Sequence, residues 1–221
     1  MIIGVLMTQG LLVTLEGIDG CGKSTQVELL RNRMSQEGID HIMVREPGGT
    51  AVGESIRQIL LNNKYSPSLQ SEIFLYMAAR SELTAQVIRP ALKSGQLVLC
   101  DRFTDSTLAY QGFGGGADLE MIRNLSSIAT GGVVPDLTIL LDLPVEDAVG
   151  RRRTTADRME SKDIKFHRRV RSGYLEIAHN EPVRIKIVNA LSTVEELESI
   201  IWKMVEETII AKKNKRTDYE F

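Results

Sequence analysis

The chain has 221 residues, 43% of them hydrophobic and 25% charged, with a formal net charge of −2. That length suffices for one domain with a full core, and the lack of a basic excess argues against a dedicated nucleic-acid binder. Two cysteines, Cys21 and Cys100, without metal-ligand spacing or a disulfide framework, point to reduced thiols in a cytoplasmic protein, and no apolar run approaches the roughly 20 residues needed to cross a bilayer.

The first ten residues, MIIGVLMTQG, are apolar but short and carry no basic leader, so a targeting role is not expected. Met7 is an alternative start. Leu11–Leu15 reads as a buried strand, and it feeds into Gly17-Ile18-Asp19-Gly20-Cys21-Gly22-Lys23-Ser24, with Thr25 behind it. This is the G-x-x-x-x-G-K-[ST] phosphate loop, placed between a strand and a helix as its mechanism requires. Its glycines let successive N–H groups ring an anion, and the following helix adds free amides and a positive dipole end. Residues 17 to 25 are therefore the expected triphosphate contacts. Lys23 reaches the outer phosphates, and Ser24 is placed to hold Mg²⁺.

Val27, Leu30 and Met34 recur at helical spacing, which predicts a helix over 23–36 stopped by Gly38. His41–Val44 is a short strand ending in Arg45-Glu46-Pro47-Gly48-Gly49-Thr50, and 51–61 reads as a helix carrying Arg57. A long helical stretch is expected over Ser68–Lys93, with Arg80 near its middle and Pro90 disturbing its last turns. Gln96–Cys100 is a buried-type strand leading into Asp101-Arg102-Phe103, and a helix from Thr104 is cut by a glycine cluster at 112–116, read as a flexible loop. Further helices are expected over 118–129, 145–151, 164–178 and 194–210, and strands over 136–143 and 183–188, before a frayed polar tail. Strands alternating with helices, and no internal repeat or linker, predict a single α/β domain over 1–221: a five-stranded parallel sheet of the P-loop NTPase fold, helices on both faces, and a short charged insert near 151–163.

In such a sheet ligands collect beyond the carboxyl ends of the strands. Three motifs land there: the phosphate loop, the Arg45 segment and Asp101-Arg102-Phe103. An acid directly after an apolar strand, here Asp101, is the expected partner of Ser24 around Mg²⁺. Arg45 and Arg102 at strand ends can fork a second phosphate, which favours a phosphorylated acceptor over a bare alcohol or water. A GTPase switch would want an Asn-Lys-x-Asp guanine motif, and the chain has none. Another nucleoside-monophosphate kinase, or a deoxynucleoside kinase, is the alternative enzyme; a binding-only module would leave the metal and insert residues idle.

LEGIDGCGKST, REPGGT, DRF-x-x-S-T-x-AYQG and PDLTILLDLP, in this order, resemble the thymidylate kinases over nearly the whole chain. The resemblance implies Mg²⁺-dependent transfer of the ATP γ-phosphoryl group to dTMP, usually by a homodimer. It gives Asp19 a place near the acceptor sugar and phosphate, Arg45 and Arg102 the acceptor phosphate, and Arg80 thymine O4. Ser106, Thr107, Tyr110 and Gln111 match positions around the base and deoxyribose, with Tyr110 closing off a 2′-hydroxyl. A family phenylalanine that stacks on thymine is matched by Tyr76, while Phe74 falls on another helix face. Positions 18–21 hold no basic residue, so the likeness is to the bacterial branch, whose insert arginines match Arg151 and Arg153. Arg152, Arg158, Lys162 and Lys165 are read as a solvated face, and Asn189 replaces a frequent acid near the adenine side.

Overall fold

A computed structural model describes residues 9–151 and 156–217, with the side chains of 214–217 excepted. Its centre is a sheet of five parallel strands, β1 (Leu11–Glu16), β2 (His41–Arg45), β3 (Leu97–Asp101), β4 (Leu137–Asp142) and β5 (Ile185–Asn189), in the spatial order β2-β3-β1-β4-β5. Every residue of β1 is buried, as expected of a strand covered on both faces. Its one mid-strand hydroxyl, Thr14, is satisfied across the sheet by Thr138 Oγ1 at 2.7 Å.

The helices are α1 (Lys23–Gln36), α2 (Ala51–Leu61), α3 (Leu69–Leu83), α4 (Arg89–Lys93), α5 (Thr104–Thr107), α6 (Leu119–Thr130), α7 (Val145–Gly150), α8 (Ile164–Asn180) and α9 (Val194–Thr217). Local chemistry sets several of their starts. Thr50, Ser68, Asp118 and Asp163 each accept, through the side chain, a backbone N–H of the turn they open. Along α1 the buried residues include Val27, Leu30 and Met34, the stripe seen in the sequence.

Three expectations are corrected. The stretch 68–93 is not one helix, because a π-helical turn over Thr84–Ile88 separates α3 from α4. Pro90 has no N–H to continue the ladder, and the wider turn lies just before it. The glycine-rich run after Gln111 opens into a loop only from Gly115 onward. Leu108–Gly114 continues the path of α5 as π-helical turns, with Gly112 and Gly114 buried. A β-carbon at Gly114 would stand 2.7 Å from Val170 Cγ2 and 2.8 Å from the Phe166 ring, so the absent side chain is what lets α8 press close. The last helix also runs further than expected: α9 continues to Thr217, and Lys212 pairs with Asp136 at 2.7 Å.

Candidate functional site

Strand register brings the chemistry together. Leu15 lies opposite Asp101, and Asp101 opposite Arg45, so the residues following β1, β2 and β3 leave the sheet at one level. Beyond that edge lies a cleft of about 890 Å³. The chain passes from β3 over β1 to β4, and such a switch in strand order is where α/β sheets place ligands.

The phosphate loop forms one wall. Gly20 has φ +86°, and a β-carbon there would meet the Ala148 carbonyl at 2.5 Å, so this turn admits glycine alone. Gly22 caps α1 in the left-handed conformation, leaving the first amides of α1 at the cleft. Lys23 is buried, and its Nζ donates to the carbonyls of Gly17 (3.0 Å) and Ile18 (2.9 Å). Asp19, Gly20, Cys21, Gly22, Lys23, Ser24 and Thr25 line the cleft, whereas Gly17 and Ile18 lie behind it.

Arg102 forms the opposite corner. Its φ of +69° is rare for a residue with a side chain, and the site over-determines it. Arg102 donates through Nη1 to Gly17 O (2.9 Å), Ser106 Oγ (3.3 Å) and Tyr174 OH (3.2 Å), and through Nη2 to Asp19 Oδ1 (2.5 Å) and Tyr110 OH (3.3 Å). Tyr110 OH donates to the other Asp19 oxygen at 2.6 Å. Burial pushes the Asp19 carboxyl up, but the Arg102 and Lys23 cations outweigh it and hold the group well below the usual carboxylate range.

Beneath this corner lies Glu16, fully buried at the end of β1. It accepts from Phe103 N (2.7 Å), Ser106 Oγ (2.6 Å) and Tyr174 OH (2.8 Å). Burial, aided by the nearby Asp105 carboxylate, raises its pKa to about 7. Arg80 is also buried; its Nε and Nη2 donate to Glu46 Oε2 at 2.8 and 2.6 Å, and Nη2 also reaches Phe103 O and Thr107 Oγ1, both at 3.0 Å. Burial raises the Glu46 carboxyl pKa against the opposing pull of Arg80.

The remaining sequence candidates divide clearly. Arg45, Tyr76, Ser106, Thr107, Gln111 and Arg151 all line the cleft. Arg45 is half-exposed, and its side chain makes a 3.4 Å ion pair with Glu54. Phe74 points away and is 51% exposed. Arg153 and Arg152 lie outside the described residues. Lys162 and Lys165 are exposed, but Arg158 is not on a solvated face: its side chain is 11% exposed and paired with Glu72 at 2.5 Å. Asn189 is exposed and accepts from Leu191 N at 3.1 Å.

Sequence reasoning assigned no role to Glu16, Glu46, Glu72 or Tyr174. Glu16 and Glu46 carried a usable signal, each being an acid adjoining a strand end and a glycine-rich motif. Glu72 and Tyr174 sat at ordinary helical positions, and only folding brings them to the site. Asp101 Oδ1 is a buried oxygen with no hydrogen-bond partner among the described residues. With the exposed Ser24 hydroxyl at the start of α1 lining the same cleft, it makes an all-oxygen donor set that fits a hard divalent cation.

The thymidylate kinase family model matches residues 15–201. The chain belongs to the thymidylate kinase family. Among curated members of that family it is 49% identical over 195 residues to a Synechococcus thymidylate kinase, covering 88% of this chain and 93% of the relative. It is 45% identical over 203 residues to the Deinococcus radiodurans thymidylate kinase, covering 91% and 98%. The crystal structure of thymidylate kinase from Ehrlichia chaffeensis superposes with a TM-score of 0.75 at 32% identity, over 90% of this chain and 99% of that one. The fold is accordingly the P-loop NTPase fold, and the family places the chain among the ATP-dependent nucleoside-monophosphate kinases. Among the described residues, no helix is long and apolar enough to cross a membrane.

Proposed function

We propose that the cleft transfers the γ-phosphoryl group of ATP to the phosphate of dTMP, giving ADP and dTDP, and that it does so with Mg²⁺ bound. One observation carries the reading: Arg102, matched to the acceptor phosphate, is hydrogen-bonded to Gly17 and Asp19 of the donor loop itself. Arg102 thus ties the acceptor cradle to the donor loop, which supports alignment of the two phosphates within one frame.

The acceptor is already an anionic phosphate oxygen, so no general base is required. The bond from the γ-phosphorus to the bridging oxygen of ADP breaks as the dTMP phosphate oxygen bonds to that phosphorus. The chain's residues position and neutralise. The loop amides and Lys23 hold the donor phosphates, Lys23 releasing the Gly17 and Ile18 carbonyls to do so. Ser24 and Asp101 would hold the cation, which when bound supplies charge neutralisation on the phosphate oxygens. Arg45 turns to the acceptor phosphate readily, because its exposed pairing with Glu54 is of a kind worth about 0–1 kcal/mol. Asp19 and Tyr110 face the deoxyribose, Tyr76 stacks on the base, and Arg80, Thr107 and Gln111 meet its edge. An arginine of the 151–163 insert, Arg151 or Arg153, reaches the moving phosphoryl group, and the insert excludes water. The chain acts as a single kinase domain in the cytoplasm, as a homodimer.

A coupled ADP-release assay with ATP, Mg²⁺ and each of dTMP, dUMP, dCMP, AMP and GMP tests this. Turnover is expected with dTMP. Lys23→Ala should lower kcat at least 100-fold, in line with loss of transition-state charge stabilisation, and Arg151→Ala or Arg153→Ala should lower kcat with a modest change in the KM for dTMP. Rapid turnover of dCMP or AMP with none of dTMP would overturn the acceptor assignment.

A further inference from the structure

Gln111 is 1% exposed and borders the cleft, and the carboxylate behind it belongs to none of the roles above. Its Nε2 donates to Glu72 Oε1 at 2.8 Å, across 39 residues of sequence. A carboxylate only accepts, so this bond settles which end of the amide faces which way. Nε2 turns to Glu72, and Oε1, which takes no hydrogen bond from the described residues, is the end left for the cleft. Glu72 is itself fixed. Its other oxygen pairs with Arg158 Nη2 at 2.5 Å, and both side chains are nearly excluded from solvent, at 7% and 11% exposure. Arg158 in turn donates through Nε to Leu60 O (2.6 Å) and through its backbone N–H to Leu61 O (3.0 Å), at the end of α2. The chain from α2 through Arg158 and Glu72 to Gln111 thus runs through hydrogen bonds and one close, buried ion pair, which together hold the Glu72 carboxylate against the Gln111 amide.

We infer that Glu72, clamped by Arg158, is a positioning residue that sets base selection by holding Gln111 with its carbonyl toward the acceptor base. This rests on the proposed dTMP site. A ring that offers an N–H at that edge, as thymine and uracil do at N3, meets an acceptor. A ring that offers a lone pair there, as cytosine does, meets a second lone pair and leaves both unsatisfied. A neutral amide in place of Glu72 can donate as well as accept, so Gln111 is then free to present either end.

The test compares kcat and KM for dTMP and dCMP, with ATP and Mg²⁺, in wild type, Glu72→Gln, Arg158→Gln and the double variant. In Glu72→Gln the preference for dTMP in kcat/KM should fall about tenfold, mostly through KM, with kcat for dTMP kept within about threefold. Arg158→Gln should narrow the preference by a smaller factor. The double variant should go no further than Glu72→Gln, since both act through one amide. A merely structural role would lower kcat for both substrates and leave their ratio alone; that result, or an unchanged ratio, overturns the inference. If Glu72→Gln does not fold, Arg158→Gln decides, and a narrowing of less than about twofold counts against it. A wild type that ignores dTMP sinks the proposed function, whereas variants that keep the wild-type preference for dTMP sink only this inference.

Discussion

At the scale of the residue, the site is built from charges taken out of water, and most of them are answered by a named partner. Arg80 is 1% exposed and survives there because Glu46, Phe103 O and Thr107 Oγ1 take its donors. Glu16 is the exception that titrates near neutrality. Its carboxyl rises from an ordinary 4.5 to about 7, through burial first and the Asp105 charge second. A carboxyl raised on folding holds its proton more tightly in the native state, so its contribution is whole below pH 4.5, is lost as pH rises to about 7, and is level above that. Urea midpoints measured across that window should therefore fall for wild type relative to Glu16→Gln, and run parallel above it. Parallel curves throughout would show that Glu16 is ionised normally. Asp19 has the opposite sign: its pKa is lowered, so its contribution is lost only as pH falls, well below the Glu16 window.

At the scale of the element, the glycines after Gln111 show how a composition signal misleads. Gly-rich runs between helices usually mark turns, yet here helical turns persist as far as Gly114, because Gly112 packs on Leu119 and Ile122 of α6 and Gly114 on α8, and only Gly115 and Gly116 face water. Gly114 sits against Phe166 and Val170, and Gly173 of α8 admits the Phe113 ring in return. Substituting Gly114→Ala forces a methyl into that contact and should destabilise the protein by about 1–3 kcal/mol, as overpacking does. The shift would appear in the urea midpoint with an unchanged m-value. An unchanged midpoint would mean that the two helices separate at no cost. The same packing carries Tyr174 of α8 to the Glu16–Arg102 corner, so a helix–helix contact just outside the cleft lining fixes one of its hydrogen bonds.

For the whole molecule, α3 packs between α2 and α6, and these helices leave Val52, Ile59, Phe74 and Ile128 at 38–77% exposure. Scattered apolar residues are common on surfaces, but here they accompany the proposed homodimer. Sedimentation should find wild type dimeric at micromolar concentration and Phe74→Glu shifted toward monomer; a monomeric wild type would end that proposal. The amino-acid sequence by itself determined the strands, most of the helices and the donor loop. These are local: a run of six buried residues makes β1, glycines with positive φ make the loop, and side-chain caps start several of the helices. It also marked Arg45, Asp101 and Arg102 as strand-end residues, because alternation of strand and helix implies which ends converge. It left the partners unnamed. That Arg158 is buried on Glu72, that Glu72 holds Gln111, and that Glu16 underlies Arg102 through Tyr174 are contacts between residues 39 to 158 positions apart. No period or spacing encodes such a pairing. Only the register of the sheet and the packing of helices against it decide which buried charge meets which.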